Sequence, residues 1–230
     1  MTLLFIHGAG GDARAFLNQI AVFSDAVAMT LPGHRGDAGG PDSIAAFADH
    51  VVGQLDRYRW PSVVLCGHSM GGAIALETAL RGDPRVAGVV TIASGARMRV
   101  APAFLESMEG DFPSAARSFA SYFFAHPDPY AVDEAVATML AVGAEQTLRD
   151  LRACDAWDAT ERLGGLRVPL LAVGGDRDKL TPEKFVRFLA DRVPDGEARI
   201  LEETGHFAMV ERPDETNAAI RAFVERIARR

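Results

Sequence analysis

Short apolar runs alternate with amphipathic stretches along most of this chain. Apolar runs of this length, bounded by Gly, Pro and Asp, predict strands, and the stretches between them predict helices. The predicted strands cover residues 3–6, 26–31, 63–66, 87–92, 170–173 and 199–201. Such alternation predicts an α/β fold, in which helices flank both faces of a mostly parallel sheet of about six strands.

Three stretches outside the strands have a clear helical period. Ser43 is a good N-cap, and apolar residues follow it at intervals of three and four from Ile44 to Leu55. Residues 185–189 and 219–227 also place apolar side chains on one side of a helix. We therefore predict helices at these three places.

The alternation stops between about residues 97 and 165. Here the pattern predicts several short helices, near residues 113–124, 132–142 and 145–154. We interpret residues 97–165 as a helical insertion within a single domain that spans residues 1–230. A chain of 230 residues with 48% apolar residues is long enough to bury one sizeable core.

Charge and cysteine content argue against several classes of function. The 31 acidic and 24 basic residues give a formal charge of −7, which argues against a nucleic-acid partner. Cys66 and Cys154 form no metal or disulfide pattern, so both are expected to remain thiols. The Gly-rich residues 36–40 lack the Gly-Lys-Ser/Thr ending of a phosphate-binding loop. We predict no metal site and no cofactor.

The apolar run at residues 3–6 is far too short for a signal core or a membrane span. It also lacks a basic flank. The sequence therefore predicts no membrane span and a cytoplasmic location.

One serine lies between a predicted strand and a predicted helix. Ser69 follows the apolar residues 63–66 and precedes small residues that favour a helix. Gly67 and Gly71 stand two residues before and two after it, as a sharp strand-to-helix turn needs, because no side chain fits beside the nucleophile there. We predict that Ser69 is a nucleophile.

A serine nucleophile needs a base and a carboxylate that orients the base. Asp178 follows the fifth predicted strand, in a loop that leads into a helix at Thr181 and Pro182. His206 follows the sixth strand in Gly205-His206. We predict a catalytic triad of Ser69, Asp178 and His206, each placed just after a strand.

The order serine, aspartate, histidine resembles that of the α/β-hydrolase superfamily. Two further segments are similar to family motifs: residues 7–10 resemble the oxyanion loop, and residues 31–34 resemble the turn after the next strand. The resemblance covers residues 3–227 and implies an α/β-hydrolase fold with a helical cap at about residues 97–165. The chain begins at what would be the third strand of the eight-stranded family pattern. That leaves a sheet edge exposed, and whether the chain forms a homo-oligomer there stays open.

The resemblance also implies roles for single residues. The backbone amides of Ala9 and Met70 are expected to form the oxyanion hole, with Gly10 as an alternative to Ala9. The family spacing Gly-x-x-Asp from Gly175 favours Asp178 over Asp176 as the orienting acid. Asp176 is then expected to be a turn residue.

In the family the cap covers the nucleophile and shapes the substrate pocket. The residues expected to line an apolar pocket are Phe104, Met108, Phe123, Phe124 and Trp157, with Phe119, Tyr122 and Met139 as further candidates. For any one of them, packing inside the cap is the simpler interpretation.

The resemblance implies a serine hydrolase that cleaves carboxylic esters through an acyl-enzyme. Motifs similar to those of monoacylglycerol lipases suggest a small-molecule substrate with a small to medium acyl chain. The same triad also serves carbon–carbon bond hydrolases, thioesterases and menaquinone-pathway lyases, although such lyases usually carry an arginine where Ala73 stands. A hydrolase-fold binding protein without turnover is a less favoured alternative.

The other histidines have simpler interpretations. His7 and His34 lie in glycine-containing turns, where an imidazole usually holds the loop through backbone hydrogen bonds. His68 precedes the nucleophile, and its side chain is expected to point away from the direction of attack.

Overall fold

The computed structural model describes residues 1–34 and 39–229. The Gly-rich stretch 36–40 therefore falls largely outside the described residues. Within them, six strands form one sheet of order β2-β1-β3-β4-β5-β6, and all neighbouring strands pair in parallel. The strands are β1 (Thr2–Ile6), β2 (Ala26–Met29), β3 (Val63–His68), β4 (Val86–Ile92), β5 (Leu170–Gly175) and β6 (Gly196–Leu201).

The predicted parallel sheet of about six strands is confirmed. Its last strand begins earlier than predicted, at Gly196 instead of residue 199. The first residues of β6 are exposed, because β6 is an edge strand that pairs only with β5. An edge strand needs no apolar run over its whole length, so hydropathy alone missed these residues.

Helices outside the insertion cover both faces of the sheet. On one face, apolar residues of three helices pack with the strands in a single cluster, and these are α2 (Ile44–Tyr58), α3 (Met70–Leu80) and α8 (Glu183–Arg192). The other face is covered by α1 (Leu17–Ile20), a 3₁₀ turn at Ala13–Phe16, α9 (Ala208–Glu211) and α10 (Pro213–Ala228). The predicted N-cap of α2 is present, because the Ser43 hydroxyl accepts a hydrogen bond from the Ala46 amide at 3.3 Å.

Four helices lie between β4 and β5, within the predicted insertion. They are α4 (Pro102–Gly110), α5 (Phe112–Ala120), α6 (Pro129–Val142) and α7 (Ala144–Ala156). Proline stands in the first turn of α4, α5 and α6, where it has no hydrogen bond to lose. The first of these helices, α4, was not predicted, and α5 ends at Ala120 rather than near residue 124.

The insertion has apolar clusters of its own. One joins α5 and α6 around Ala116, Phe123 and Val136, and a second joins α4, α5 and α7 around Met108 and Leu151. Several aromatic side chains of these helices are therefore directed at one another rather than at the sheet.

The first turn of α3 approaches the sheet too closely for any side chain. A Cβ atom at Gly71 would lie 2.0 Å from the backbone oxygen of Ile6 in β1. Backbone atoms cannot rotate away as a side chain would, so this position tolerates only glycine without a shift of α3 or β1.

We predict that Gly71→Ala lowers the free energy of unfolding by about 2–4 kcal/mol, because the new methyl group overlaps β1. The matched control is Gly53→Ala, in the exposed middle of α2, where an added Cβ meets nothing within 4 Å. That control is expected to raise the free energy of unfolding by about 0.5–1 kcal/mol. Urea unfolding of both variants measures the difference, and equal effects would contradict the close approach.

Candidate active site

Ser69 lies at the junction of β3 and α3, in a strained turn. Its backbone has φ 51° and ψ −116°, a region that residues with a side chain rarely adopt. The turn is held by hydrogen bonds from the Ser69 amide to the Ile92 oxygen, at 2.9 Å, and from the Ser94 hydroxyl to the Ser69 oxygen, at 2.8 Å. A Cβ at Gly67 would lie 2.0 Å from the Gly71 oxygen, so both glycines of the motif are required.

His206 and Asp178 come together at the carboxyl ends of β6 and β5. The two atoms His206 Nδ1 and Asp178 Oδ2 are 2.8 Å apart, and both side chains are buried. When Nδ1 carries the proton that bonds to Asp178, the other ring nitrogen, Nε2, is left as the basic atom. His206 and Ser69 line the same cavity.

The Asp178 carboxylate accepts several other hydrogen bonds. Its Oδ1 atom accepts from the amides of Leu180 and Thr181 at 2.8 and 2.9 Å, and its Oδ2 atom accepts from the Thr181 hydroxyl at 2.7 Å. Burial by itself raises the pKa of Asp178, but the charge and hydrogen bond of His206, together with these donors, bring that pKa below its ordinary value. Asp178 is therefore ionised at neutral pH.

Asp176 occupies the same loop but does not reach His206. Its Oδ1 atom accepts a hydrogen bond from the Thr204 amide at 3.2 Å, which joins the β5 loop to the β6 loop. Of the two carboxylates in the loop, the structure therefore brings Asp178 to the histidine.

The side chain of His68 holds the backbone of His206. Its Nε2 atom donates to the His206 carbonyl oxygen at 3.1 Å, and the two rings meet edge to face at 4.8 Å between centroids. Burial, and then the nearby His206, keep the pKa of His68 well below its ordinary value, so His68 stays neutral. No local sequence pattern indicates this contact, because the two histidines are 138 positions apart.

Glu211 also positions the loop of His206. Its two carboxylate oxygens accept hydrogen bonds from the amides of Gly205 and Ala125, both at 2.8 Å. Burial raises the pKa of Glu211 above its ordinary value, although both hydrogen bonds oppose that shift. Glu211 is not among the predicted site residues. The one sequence feature that points to it is its place in the first helix after Gly205-His206.

The loop after β1 lies beside Ser69. The ring of His7 donates from Nδ1 to the Gly8 oxygen at 2.8 Å and accepts the Leu31 amide on Nε2 at 3.0 Å. A ring with one donor partner and one acceptor partner suits a neutral imidazole. Burial, and to a smaller extent the charge of nearby His34, lowers the pKa of His7 to about 3.

The Gly10 amide of the same loop donates a hydrogen bond to Asp150 Oδ2 at 2.9 Å, so this amide already has an acceptor.

A cavity of about 420 Å³ opens over Ser69 and His206. Its walls are mainly apolar, and they come from the β1 loop, α5, the segment after α5, α6 and the start of α9. The apolar side chains that line it include Phe119, Phe123, Phe124, Met139 and Phe207. Polar side chains that line it include Asp12, Arg14, Glu134 and Thr138.

Three residues expected to line the pocket lie elsewhere, and this corrects the sequence-based expectation. Phe104 packs on Phe119 with ring centroids 5.0 Å apart, Met108 is buried between α4 and α7, and the Trp157 indole donates to Glu77 at 3.0 Å. Helical spacing shows that such side chains are buried but not which neighbour buries them. Phe123 and Phe124 do line the cavity, as do Phe119 and Met139 from the wider set, whereas Tyr122 is exposed and does not line it.

Among the described residues, no group of three or more His, Cys, Asp or Glu side chains is arranged to hold a metal ion. Both cysteines are buried, and burial raises the pKa of each thiol. In the same part of the chain, no helix has both the length and the apolar composition that crossing a bilayer requires.

Residues 3–219 match the sequence model of the Alpha/beta hydrolase family. The chain is also 30% identical, over 240 aligned residues, to a pimeloyl-[acyl-carrier protein] methyl ester esterase of Neisseria meningitidis serogroup B / serotype 15 (strain H44/76), and the match covers 96% of this chain and 91% of that protein. A putative carbamate hydrolase, RutD, of Agrobacterium fabrum is 29% identical, with 97% of this chain and 92% of the relative covered.

Solved structures show the same architecture. The structure of a thermophilic esterase superposes with a TM-score of 0.86 at 28% identity, covering 98% of this chain and 90% of that chain. The resemblance and the fold expected from the motifs are thereby confirmed.

The buried, neutral His7 predicts a loss of stability in acid. Its pKa is about 3 in the folded protein but about 6.5 in the unfolded chain, so the unfolded chain binds a proton that the folded protein does not. The stabilisation is complete above pH 6.5 and is lost as the pH falls towards 3. Relative to His7→Gln, the wild type is expected to lose about 2 kcal/mol of unfolding free energy between pH 7 and pH 5.

Urea unfolding at pH 7, 6 and 5 measures this difference. Equal pH dependence of the wild type and His7→Gln would refute the prediction.

Proposed function

Because the chain belongs to the Alpha/beta hydrolase family, we propose that it is a serine esterase that cleaves carboxylic esters. In this proposal Ser69 is the nucleophile, His206 the general base and Asp178 the acid that orients the base. The observation that carries the proposal is the 2.8 Å contact between His206 and Asp178, at the cavity that Ser69 also lines.

The reaction proceeds in two halves. His206 Nε2 takes the proton of the Ser69 hydroxyl while the oxygen attacks the ester carbonyl, and the tetrahedral intermediate collapses as the alcohol leaves with the proton from His206. A water molecule then gives a proton to His206 and attacks the acyl-enzyme. The acid product leaves, and Ser69 regains its proton.

The charge that develops on the carbonyl oxygen needs donors that are already in place. We assign this role to the backbone amides of Ala9 and Met70. The Gly10 amide donates to Asp150, which favours Ala9 as the donor from this loop. Met70 is the first residue of α3, so its amide lies at the positive end of a helix dipole.

We assign residues 97–165 to a cap within a single domain of residues 1–230. Helices α5 and α6 supply walls of the cavity, and α4 and α7 support them through a separate apolar cluster. The apolar walls favour a substrate with an apolar acyl group, and the cavity volume of about 420 Å³ is that of a small ligand site.

The names of similar proteins favour an ester over the other substrates of this triad. Both the Neisseria relative and the thermophilic structure are named as esterases. A small to medium acyl chain is our proposal for the substrate of this chain.

We expect Ser69→Ala, His206→Ala and Asp178→Asn each to lower kcat by at least about 10³-fold, since the three side chains act as a unit. Hydrolysis of p-nitrophenyl esters from acetate to dodecanoate measures this effect and the preferred chain length. Asp176→Asn, in the same loop, is the matched control and should remain within about threefold of the wild type. Near-normal turnover by Ser69→Ala would overturn the mechanism, and no turnover of any ester by the wild type would favour a lyase, a carbon–carbon bond hydrolase or a binding protein.

The cavity walls predict a change of chain-length preference. Phe119→Ala removes a ring that lines the cavity, so the preferred acyl chain should lengthen by about two carbons or more. Phe104→Ala is the control, because this ring packs behind Phe119 and does not line the cavity. The same ester series measures both variants, and an unchanged preference in Phe119→Ala would show that the acyl group binds elsewhere.

A further inference from the structure

The side chain of Asp150, on α7, lies in the protein interior with no exposed surface. Its Oδ2 atom accepts hydrogen bonds from the Gly10 amide at 2.9 Å and from His34 Nε2 at 2.8 Å. Its Oδ1 atom accepts from the Gln146 side-chain amide at 2.9 Å. This carboxylate takes no part in the triad, and a carboxylate buried this deeply requires partners.

His34 supplies the compensating charge. One ring nitrogen faces Asp150, and the other, Nδ1, faces the Pro32 carbonyl oxygen at 3.1 Å. Both neighbours are acceptors, so only the doubly protonated ring donates to each of them. Burial opposes this charge, but the hydrogen bond and charge of Asp150, with the nearby carbonyl groups, raise the pKa of His34 above its ordinary value.

Side chains of two helices lie close to Gly10 at this contact. It has φ +63°, and a Cβ there would lie 2.9 Å from Met139 in α6 and 3.1 Å from Thr147 in α7. The glycine therefore lets two helices of the insertion approach the backbone of the β1 loop. The hydrogen bond to Asp150 then sets the orientation of the peptide group between Ala9 and Gly10.

We propose that Asp150 is a positioning residue for the oxyanion hole, acting through the Gly10 amide. The Gly10 nitrogen and the Ala9 oxygen belong to one planar peptide group, so a hydrogen bond that fixes this plane limits rotation at Ala9 and keeps the Ala9 amide directed at the cavity. A carboxylate is suited to this task because hydrogen bonds to charged acceptors are roughly twice as strong as neutral ones. The role rests on the proposed esterase function. If Asp150 has this role, the geometry of the oxyanion hole depends on how α7 packs against the β1 loop.

The test compares Asp150→Ala, which removes the acceptor, with Asp150→Asn, which keeps one oxygen for the Gly10 amide but carries no charge. Asp155→Ala is the control on the same helix, because the Asp155 carboxylate also accepts a backbone amide, that of Val100 at 3.0 Å, away from the β1 loop. If Asp150→Ala does not fold, Asp150→Ser, whose side chain is one atom shorter than that of aspartate, replaces it.

Three quantities are measured on each variant. They are kcat and KM for the best p-nitrophenyl ester, the rate at which a fluorophosphonate modifies Ser69, and hydrogen exchange of the backbone amides of residues 7–11. The measured turnover is divided by the amount of Ser69 that the fluorophosphonate has labelled at completion. A partly unfolded sample therefore does not lower the turnover per labelled site.

For Asp150→Ala we expect kcat and the labelling rate to fall together by at least about tenfold. The loss should be smaller than the roughly 10²–10³-fold cost of removing an oxyanion donor itself. KM should stay within about twofold, since the contact acts on the transition state. Exchange of the Gly10 amide should accelerate at least about tenfold. Asp150→Asn, which keeps an acceptor for Gly10 but loses the charge, should lie between Asp150→Ala and the wild type. Asp155→Ala should remain within about threefold of the wild type in all three measurements.

Per-site kcat and labelling within twofold of the wild type in Asp150→Ala would overturn the proposal, as would an unchanged exchange rate at Gly10. Failure of the esterase proposal gives a different result. In that case the wild type hydrolyses no ester, while phosphonylation of Ser69 and hydrogen exchange still report whether Asp150 orients the loop. If Ser69 is also inert to the fluorophosphonate, the Gly10 exchange rate alone decides whether Asp150 holds the loop.

Discussion

The close approach of backbone to backbone at the β3–α3 turn is the constraint on which the rest of the site depends. Ser69 has a positive φ, and glycines at positions 67 and 71 leave room that a single methyl group would fill. The turn presents the serine at the carboxyl edge of a central strand. Because all six strands of the described sheet run parallel, the loops after β1, β5 and β6 leave from that same edge. A small number of short loops is then enough to surround the serine.

Buried histidines around this edge are held in different protonation states by their neighbours. His7 meets one donor and one acceptor and stays neutral, whereas His34, with its ring centroid 4.6 Å from that of His7, meets two acceptors and carries a charge. His68 gives its Nε2 hydrogen to the backbone of His206. The polar interior of the site is thus organised by hydrogen-bond direction, and a ring in the wrong state would place two donors or two acceptors face to face.

The helical insertion contributes more than walls to the cavity. Its apolar clusters give it a partly independent core, and two carboxylates, one buried and one partly buried, join it to the loops at the sheet edge. Glu211 connects the loop of His206 to the segment after α5, and Asp150 connects α7 to the loop after β1. The geometry around the serine therefore depends on how the insertion docks as well as on the sheet.

Local sequence signals determined the sheet, most of the helices and the positions of Ser69, Asp178 and His206, because apolar runs, turn glycines and caps act between residues close along the chain. Parallel pairing of the strands then brings their carboxyl ends to one edge of the sheet, and no other sequence signal is needed for this. Only the tertiary structure decided that Phe104, Met108 and Trp157 face other helices rather than the cavity. The contact between Gly10 and Asp150 joins residues 140 positions apart. Such contacts depend on the angles at which helices pack, and no local pattern encodes those angles.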